Sequence, residues 1–597
     1  MATSADVALA EAAQPIHPEP TSFWRRYVFS IDHKVIAKQF LWAGCAFLVF
    51  GGVLAMLIRW QWGFPGQKVP LLGDVFLRGT GGVIAPGTYQ QIFTMHGLIM
   101  VFFAVTPVLV GTFGNFLIPL MIGARDMAFP RLNMYSFWTF LASQLLVVAS
   151  FFTDLGTGGA GWTNYAPLST QVGMPGMGQT LVIVALFVTG ASSTMGAINY
   201  ITTVIRLRAP GMTWSRLPLT IWALWLTAIL NALFVPVLGA AALTLLLDRH
   251  FGTQFFIAGA SAVRGGGDPI AYQHLFWIFG HPEVYIMVLP AWGIVGDVLS
   301  FFARKPHHWY RGTVGAMLAV TLLSALVYGH HMFVTGMSPL LGQGFMLFTL
   351  VISVPSMVVV LNWLLTVWRG SIRLTTPMLF ALGTMFVFGV GGLTGLELGD
   401  ISMDLYLHDT LFVVGHFHFT MAAASFTGAV TGIYFWFPKM FGRQLDERLG
   451  KAHFAVTVVG MTLVFGGQLL AGYAGQQRRL FDPYQYTFIQ GLHGLNRNVS
   501  ILAFVLFAGQ LIFVWNVAKT LLGRARVAGA NPWEVTTLEW TATSSPPPFH
   551  NFDRIPFVLR GPHELGDAEV KGLTGRDFAG QAEVLPAKSG TAAAGGG

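Results

Sequence analysis

The segment from Gln273 to Tyr285 (QHLFWIFGHPEVY) sets a histidine, a proline, a carboxylate and a tyrosine within five positions: His281, Pro282, Glu283 and Tyr285. It lies inside an apolar run, about residues 269–302, long enough to cross a bilayer as a helix. Each residue turns a helix by about 100°. His281 and Tyr285 therefore share one face, one turn apart, and Glu283 points nearly the opposite way. A carboxylate at bilayer depth costs about 2.5–3.5 kcal/mol on an insertion scale, so it reads as functional. The competing reading is a kinked packing helix whose polar groups satisfy one another.

His96, His274, His281, His330, His331, His416 and His418 all fall in apolar runs. Imidazole is the usual protein ligand for haem iron and for copper. His416 and His418, at i and i+2, are about 200° apart on a helix, so they cannot share a metal but can serve two cofactors on opposite sides. His96, alone on another segment, could complete a bis-histidine haem with one of the pair. The other would hold a second haem with its far face open. His330 and His331 are adjacent and can share a metal where a helix frays. With His281 they make three imidazoles, which suit a copper with a free position. A five-coordinate haem facing a copper is a site for a diatomic ligand.

The elements that must position these residues are membrane helices. The chain is 54% apolar and 10% charged, with mean hydropathy +0.61, against about 25% charged in soluble domains. The expectation is an all-α polytopic membrane protein with twelve transmembrane helices, centred on about 38–58, 91–121, 133–152, 178–205, 218–246, 269–302, 313–331, 342–368, 375–395, 409–437, 453–471 and 498–522. The net charge of +8 is spread over the loops and points to topology, not nucleic acid. With the N-terminus inside, basic residues are denser in the inner loops, while Arg249, Arg264 and Arg478 are among the fewer outer ones. Both termini are therefore expected inside. Cys45, the single cysteine, excludes an internal disulfide and a cysteine metal cluster within the chain. Residues 1–23 lack the apolar core of a cleavable signal peptide. Three regions are expected: a disordered cytoplasmic N-terminus over 1–24, a catalytic membrane domain over 25–530, and a cytoplasmic tail over 531–597 that is disordered beyond about Gly561.

Further motifs accompany these histidines: Asp32-His33-Lys34, Asp126 to Arg131, Gly161-Trp162-Thr163, Gly265 to Pro269, His330 to Phe333, Val390 to Gly395, His408-Asp409-Thr410 and Arg478-Arg479. In order and at this spacing the chain resembles subunit I of the haem-copper oxygen reductases, the cytochrome c oxidase family, in its mitochondrial-like A branch. The resemblance implies His96 and His418 as axial ligands of a low-spin haem and His416 as proximal ligand of a high-spin haem. It implies His281, His330 and His331 as ligands of copper B, with Tyr285 linked covalently to His281. Arg478, Arg479 and Trp162 would meet haem propionates, and Arg59 a substituent of the low-spin haem. His408 and Asp409 would hold magnesium shared with subunit II. The cofactors implied are two haems, taken as haem a and haem a3 (axial histidines do not distinguish a, o or b), copper B and magnesium, with copper A in subunit II. The partners implied are subunits II and III, cytochrome c, O2 and the bilayer of a bacterial inner membrane.

Asp126, Asn115, Asn133, Ser192, Ser193 and Asn199 match the family's D pathway of proton transfer, which ends at Glu283. The second route, the K pathway, departs from the family. Val359 stands at the lysine position and Gly296 at a serine position, while Ser356 remains. Tyr328 replaces a usual tryptophan beside the copper histidines. The activity implied is a proton-pumping cytochrome c oxidase reducing O2 to water. The uncharged stretch 44–58 and Thr88 speak against a quinol oxidase. Tyr285 and the intact histidine triad speak against a nitric oxide reductase. A multi-span transporter would leave the membrane histidines unexplained.

Overall fold

The computed structural model describes residues 4–14, 16–258 and 266–586. Arg264 and Gly265, expected in an outer loop and a motif, lie outside the described residues, as do residues 587–597 of the tail. Among the described residues the fold is helical, with isolated bridges but no strand. Ten helices are long and apolar enough to cross a membrane. In chain order they are α1 (His33–Gly63), α2 (Pro86–Ile122), α3 (Pro130–Ser150), α4 (Met177–Arg206), α5 (Leu219–His250), α6 (Pro269–Ala303), α8 (Pro339–Val367), α9 (Thr376–Gly399), α11 (Glu447–Tyr473) and α12 (Thr487–Leu522).

The other two expected segments are present in altered form. Helix α7 (Tyr310–Leu323) is short because the chain unwinds before a 3₁₀ turn at Tyr328–Met332, which carries His330 and His331. Segment α10 (411–441) is interrupted by a wide π turn at His418–Ala423. Helix α2 widens in the same way after His96, over Ile99–Val105 and Pro107–Gly114. Wide turns concentrate at functional sites because they re-aim side chains without ending the helix.

Helix α6 runs through the middle, with an 18-residue stretch buried throughout. Small residues let its neighbours close in. A Cβ on Gly293 would stand 2.6 Å from Ala223 Cβ of α5, and one on Gly428 of α10 would stand 2.5 Å from Ala291 Cβ. In a bilayer, packing of this kind substitutes for the missing hydrophobic drive.

Both tails are ordered further than expected, and both pack on one face of the bundle. Residues Ser4–Ala12 form a helix. Gln14 then fixes Arg125, accepting from its N–H at 2.9 Å on the side chain and from Nη1 at 2.9 Å on the carbonyl. In the C-terminal tail a helix spans Ala568–Thr574. Leu565, Val570, Phe578 and Ala579 are buried, and Arg304 pairs with Asp577. These apolar side chains, spaced among polar ones, supply the docking energy that the Ala/Gly-rich composition near the terminus concealed. Lys439, fully buried, donates to the carbonyls of Ala530 (3.1 Å), Ser544 (3.0 Å) and Thr543 (3.2 Å).

Charged hydrogen bonds contribute about 1.5–3 kcal/mol each. Lys439→Met should therefore cost roughly 3–5 kcal/mol, allowing for partial hydration of the freed carbonyls. It should also expose residues 530–545 to limited proteolysis; cleavage at the wild-type rate would rule out this anchor.

Candidate active site

His281 is carried on the enclosed helix α6, and its ring meets the two histidines of the 3₁₀ turn. His281 Nδ1 lies 3.3 Å from His331 Nε2, and His330 Nε2 lies 3.1 Å from the same atom. One nitrogen from each of the three comes within 4.8 Å of the others. Three neutral imidazoles presenting lone pairs to one point repel unless a cation or a proton sits among them, and copper suits such a set. His330 is oriented from behind by Thr349 Oγ1 at 2.9 Å. His331 is held by Trp277, whose ring stacks on it at 3.8 Å between centroids and 9° between planes. Trp277 Nε1 in turn donates to Tyr165 Oη. Trp277 and Tyr165 were not singled out in the sequence; the signal present was that Trp277 lies one turn before His281 on the same face. The Tyr285 ring is 4.8 Å from that of His281, and His281 Nε2 is buried without a hydrogen bond.

The rings of His96 and His418 are parallel within 11°, with centroids 6.4 Å apart. Each donates Nδ1–H to a backbone carbonyl, His96 to Gly51 at 3.0 Å and His418 to Val414 at 2.8 Å. This fixes the tautomer and leaves both Nε2 lone pairs free. Two metal–imidazole bonds of about 2 Å each, end to end, account for this separation. The pair therefore fits one axially ligated iron. His416, on the opposite side of α10, is held through Nδ1 by the Gly391 carbonyl and Thr394 Oγ1, both at 3.0 Å, with Nε2 left for a ligand. A Cβ on Gly395 would press on this ring at 2.9 Å, so glycine is required there.

The chain belongs to the cytochrome c and quinol oxidase polypeptide I family.

The family match covers residues 35–505. An alternative cytochrome c oxidase subunit 1 of Bradyrhizobium diazoefficiens is 42% identical over 591 residues, covering 98% of this chain and 97% of that protein. A cytochrome c oxidase subunit 1 of Cereibacter sphaeroides is 42% identical over 568 residues, covering 92% and 98%. A third, from Thermostichus vulcanus, is 39% identical over 554 residues, covering 92% and 95%. A solved structure of a heme-copper terminal oxidase dimer matches with TM-score 0.70 at 19% identity, over 83% of this chain and 85% of that one, which shows the fold. This polypeptide I is thus the catalytic subunit of a terminal oxidase; its family implies haems and copper B, and the cluster of His281, His330 and His331 fits a metal site.

The remaining expected residues fall into three places. On the face opposite the tails, Arg478 donates Nε to Asp409 at 2.6 Å, and His408 Nδ1 sits 2.8 Å from Asp404, a buried carboxylate the sequence reading did not include. Burial alone would raise the Asp409 pKa, but Arg478 and His408 hold it below the usual carboxylate value. Arg479 lies beside Gly161, and Trp162 lies against Gly97 on the turn after His96. Buried Arg59 donates to the Asn496 carbonyl at 2.8 Å, with Nε unpaired.

On the tail-bearing side, Asp126 accepts from the Met127 N–H at 2.7 Å. Beyond it, Asn115 Oδ1 and both side-chain atoms of Asn133 are buried with no partner. Such groups are ordinarily satisfied by water. Asn199 is tied to the Phe129 backbone, and Ser192 donates to the Ser136 carbonyl at 2.6 Å. Ser193 instead lines a cavity of about 20 Å³, enough for a water, with Thr106, Thr189, Asn231, Phe279 and Glu283. Glu283 accepts from Thr106 Oγ1 at 3.1 Å.

Third comes the segment of the missing lysine. Val359 is fully buried, and Ser356 donates back to the Ile352 carbonyl at 3.0 Å. Tyr328 Oη lies 3.3 Å from His274 Nδ1.

Burial pushes the Asp126 carboxyl up to about 8, with Asp32 adding to the effect and Lys34 opposing it. From its ordinary 3.8 to about 8, the folded chain holds a proton here that the unfolded chain has released, so this group makes stability fall as pH rises through that window. Asp126→Asn removes the titration. Its unfolding midpoint should fall less steeply across the same window than that of the wild type. Equal slopes would show that the carboxyl titrates normally.

Proposed function

We propose that this subunit is a cytochrome c oxidase. Its electrons come from cytochrome c through a copper A centre in subunit II, and subunit III completes a complex in a bacterial inner membrane. The tail-bearing face is the cytoplasmic one. The observation that carries the reading is the convergence of His281, His330 and His331 while the parallel pair His96 and His418 stands apart. His281, His330 and His331 would hold the copper, His96 and His418 one haem iron, and His416 the other. The haems, as haem a and haem a3, and copper B would supply one-electron chemistry and O2 binding.

The protein's own residues position and supply protons. Trp277 and Thr349 fix the orientation of His331 and His330. The buried Nε2 of His281 beside Tyr285 is the atom available for a bond to that ring, which would hold the phenol next to the metal site as a proton donor. On the opposite face of α6, Glu283 takes a proton at its carboxyl from waters that begin at Asp126 and pass Asn133, Asn115 and Ser193, with Thr106 holding the side chain. Arg478, Arg479, Trp162 and Arg59 would meet haem substituents. His408 and Asp409, braced by Asp404 and Arg478, would hold magnesium at the boundary with subunit II.

The purified complex should show the optical signature of one bis-histidine and one high-spin haem, and should consume O2 with reduced cytochrome c but not with quinol. NO turnover without O2 turnover would refute the reading. Glu283→Gln should cut O2 consumption by about 10²-fold, the scale of a lost proton-transfer group. Normal proton-coupled turnover in that variant would remove Glu283 from the route.

A further inference from the structure

Residues 21–30 (TSFWRRYVFS) carry four aromatic rings and two arginines and take no part in the centres described above. They form a wide helical turn over Trp24–Val28, just before α1. Two contacts lay this turn along the side of the bundle and not across its end. Gln39, in the second turn of α1, donates from Nε2 to the carbonyls of Tyr27 (2.8 Å) and Val28 (3.0 Å). The Phe29 ring lies 5.0 Å from that of Trp138, in the third turn of α3. Helix α1 has 31 residues, about 46 Å at 1.5 Å per residue. The hydrocarbon core is about 30 Å thick, so a centred α1 extends roughly 8 Å past it at each end. Gln39 stands six residues from the start, about 9 Å along the helix. The turn it holds therefore sits where lipid headgroups meet acyl chains.

Phe23, Trp24, Tyr27 and Phe29 are 63%, 64%, 50% and 49% exposed. Arg25 and Arg26 are exposed too, and neither guanidinium has an ion pair or a hydrogen bond among the described residues. Arg26 lies over the Tyr27 ring, 5.6 Å from its centroid. On α3, Arg131, Tyr135 and Trp138 recur at i, i+4 and i+7. One stripe thus runs from exposed Arg131 and Tyr135 to the ring that meets Phe29. No acidic residue occurs in residues 20–31, in α1 or in α3. Asp32, between the turn and α1, is buried and paired with Lys34 at 3.0 Å. Three arginines therefore border an aromatic face to which the protein brings no anion of its own. A transmembrane helix laid against it would cover the rings and leave the guanidinium groups unanswered. A phospholipid answers both: its phosphate suits the guanidinium fork, and the aromatic rings suit the headgroup boundary.

We propose that this face is a binding site for an anionic phospholipid of the leaflet on the tail-bearing side. Arg25 and Arg26 hold the phosphate, Arg131 adds attraction from α3, and the acyl chains lie against the exposed rings. Aromatic residues with basic neighbours at the membrane surface are the composition of an interfacial anchor.

The inference rests on the membrane fold and not on the oxidase reading; a complex that consumed no O2 would sink that reading and leave this test in place. The intact complex is stripped of lipid and titrated with phosphatidylglycerol or phosphatidylcholine, and native mass spectrometry reads the apparent affinity of each. Phosphatidylglycerol should bind more tightly, and less so as salt is raised. Arg25→Gln with Arg26→Gln should weaken its binding about thirtyfold, and either change alone about fivefold, from the attraction that each basic residue has for an anionic surface. Arg25→Lys with Arg26→Lys keeps the charge and should stay within about fivefold of the wild type. In nanodiscs, backbone hydrogen exchange over residues 22–29 should slow as the phosphatidylglycerol fraction rises. Equal affinity for the two lipids, or wild-type affinity in the double glutamine variant, would overturn the proposal. So would displacement of the lipid by inorganic phosphate, which would mark a free-anion site. Slow exchange over residues 22–29 in the lipid-stripped complex would show that another subunit covers the face, and would overturn it equally.

Discussion

Helix α6 is buried along most of its length, with one 18-residue stretch wholly enclosed by protein, and much of the structure follows from that enclosure. A helix touching lipid could leave an apolar side facing out and concentrate its polar groups on the other. An enclosed one must draw partners for its polar groups from the neighbouring elements, because an unpaired group there costs several kcal/mol. His281 is answered by the 3₁₀ turn, Glu283 by Thr106 of α2, and Asp297 by the start of α5 and by His563. The glycines and alanines at the crossings of α5 and α10 let those neighbours come close enough.

The same logic explains why the helices deform where they do. A histidine that is to ligate a metal through Nε2 needs Nδ1 tied down, and a regular helix keeps its carbonyls for itself. His418 takes the Val414 carbonyl at the start of a wide turn, His416 takes that of Gly391 on α9, and His96 takes that of Gly51 on α1. Glycine at two of these three acceptors opens the carbonyl to a ring. The helix breaks around His418 and before His330 thus let side chains be aimed by backbone oxygen as well as by rotamer.

Most of the centre was legible because membrane chemistry is expensive. Histidines in apolar runs are rare enough to be informative, and the i, i+2 spacing of His416 and His418 assigns them to opposite sides of a helix. The i, i+4 spacing of His281 and Tyr285 likewise puts those rings together. Trp277, Asp404 and Asn231 escaped notice for the opposite reason. An aromatic one turn from a ligand looks like core, a carboxylate in an acidic loop looks like topology, and an asparagine in α5 gains its meaning only from a cavity shared with Glu283. The ordered tails escaped because composition averages over a segment. Docking needs only a few well-placed apolar side chains, here Leu565, Val570 and Phe578.

That docking bears on how the membrane domain ends. Asp297 is fourteen residues beyond Glu283, about 21 Å along the helix, so the two acids stand at different depths and meet different surroundings. Glu283 faces a cavity with room for water and accepts a hydrogen bond from Thr106. Asp297 is saturated by four donors, one of them from the tail, which fixes it in place. A saturated carboxylate is a poor carrier but a good counter-charge. It takes its fourth hydrogen bond from the His563 imidazole, which belongs to a segment outside the bundle. The C-terminal chain is therefore part of the electrostatics at the end of α6, and removing it would leave a buried anion with one donor fewer.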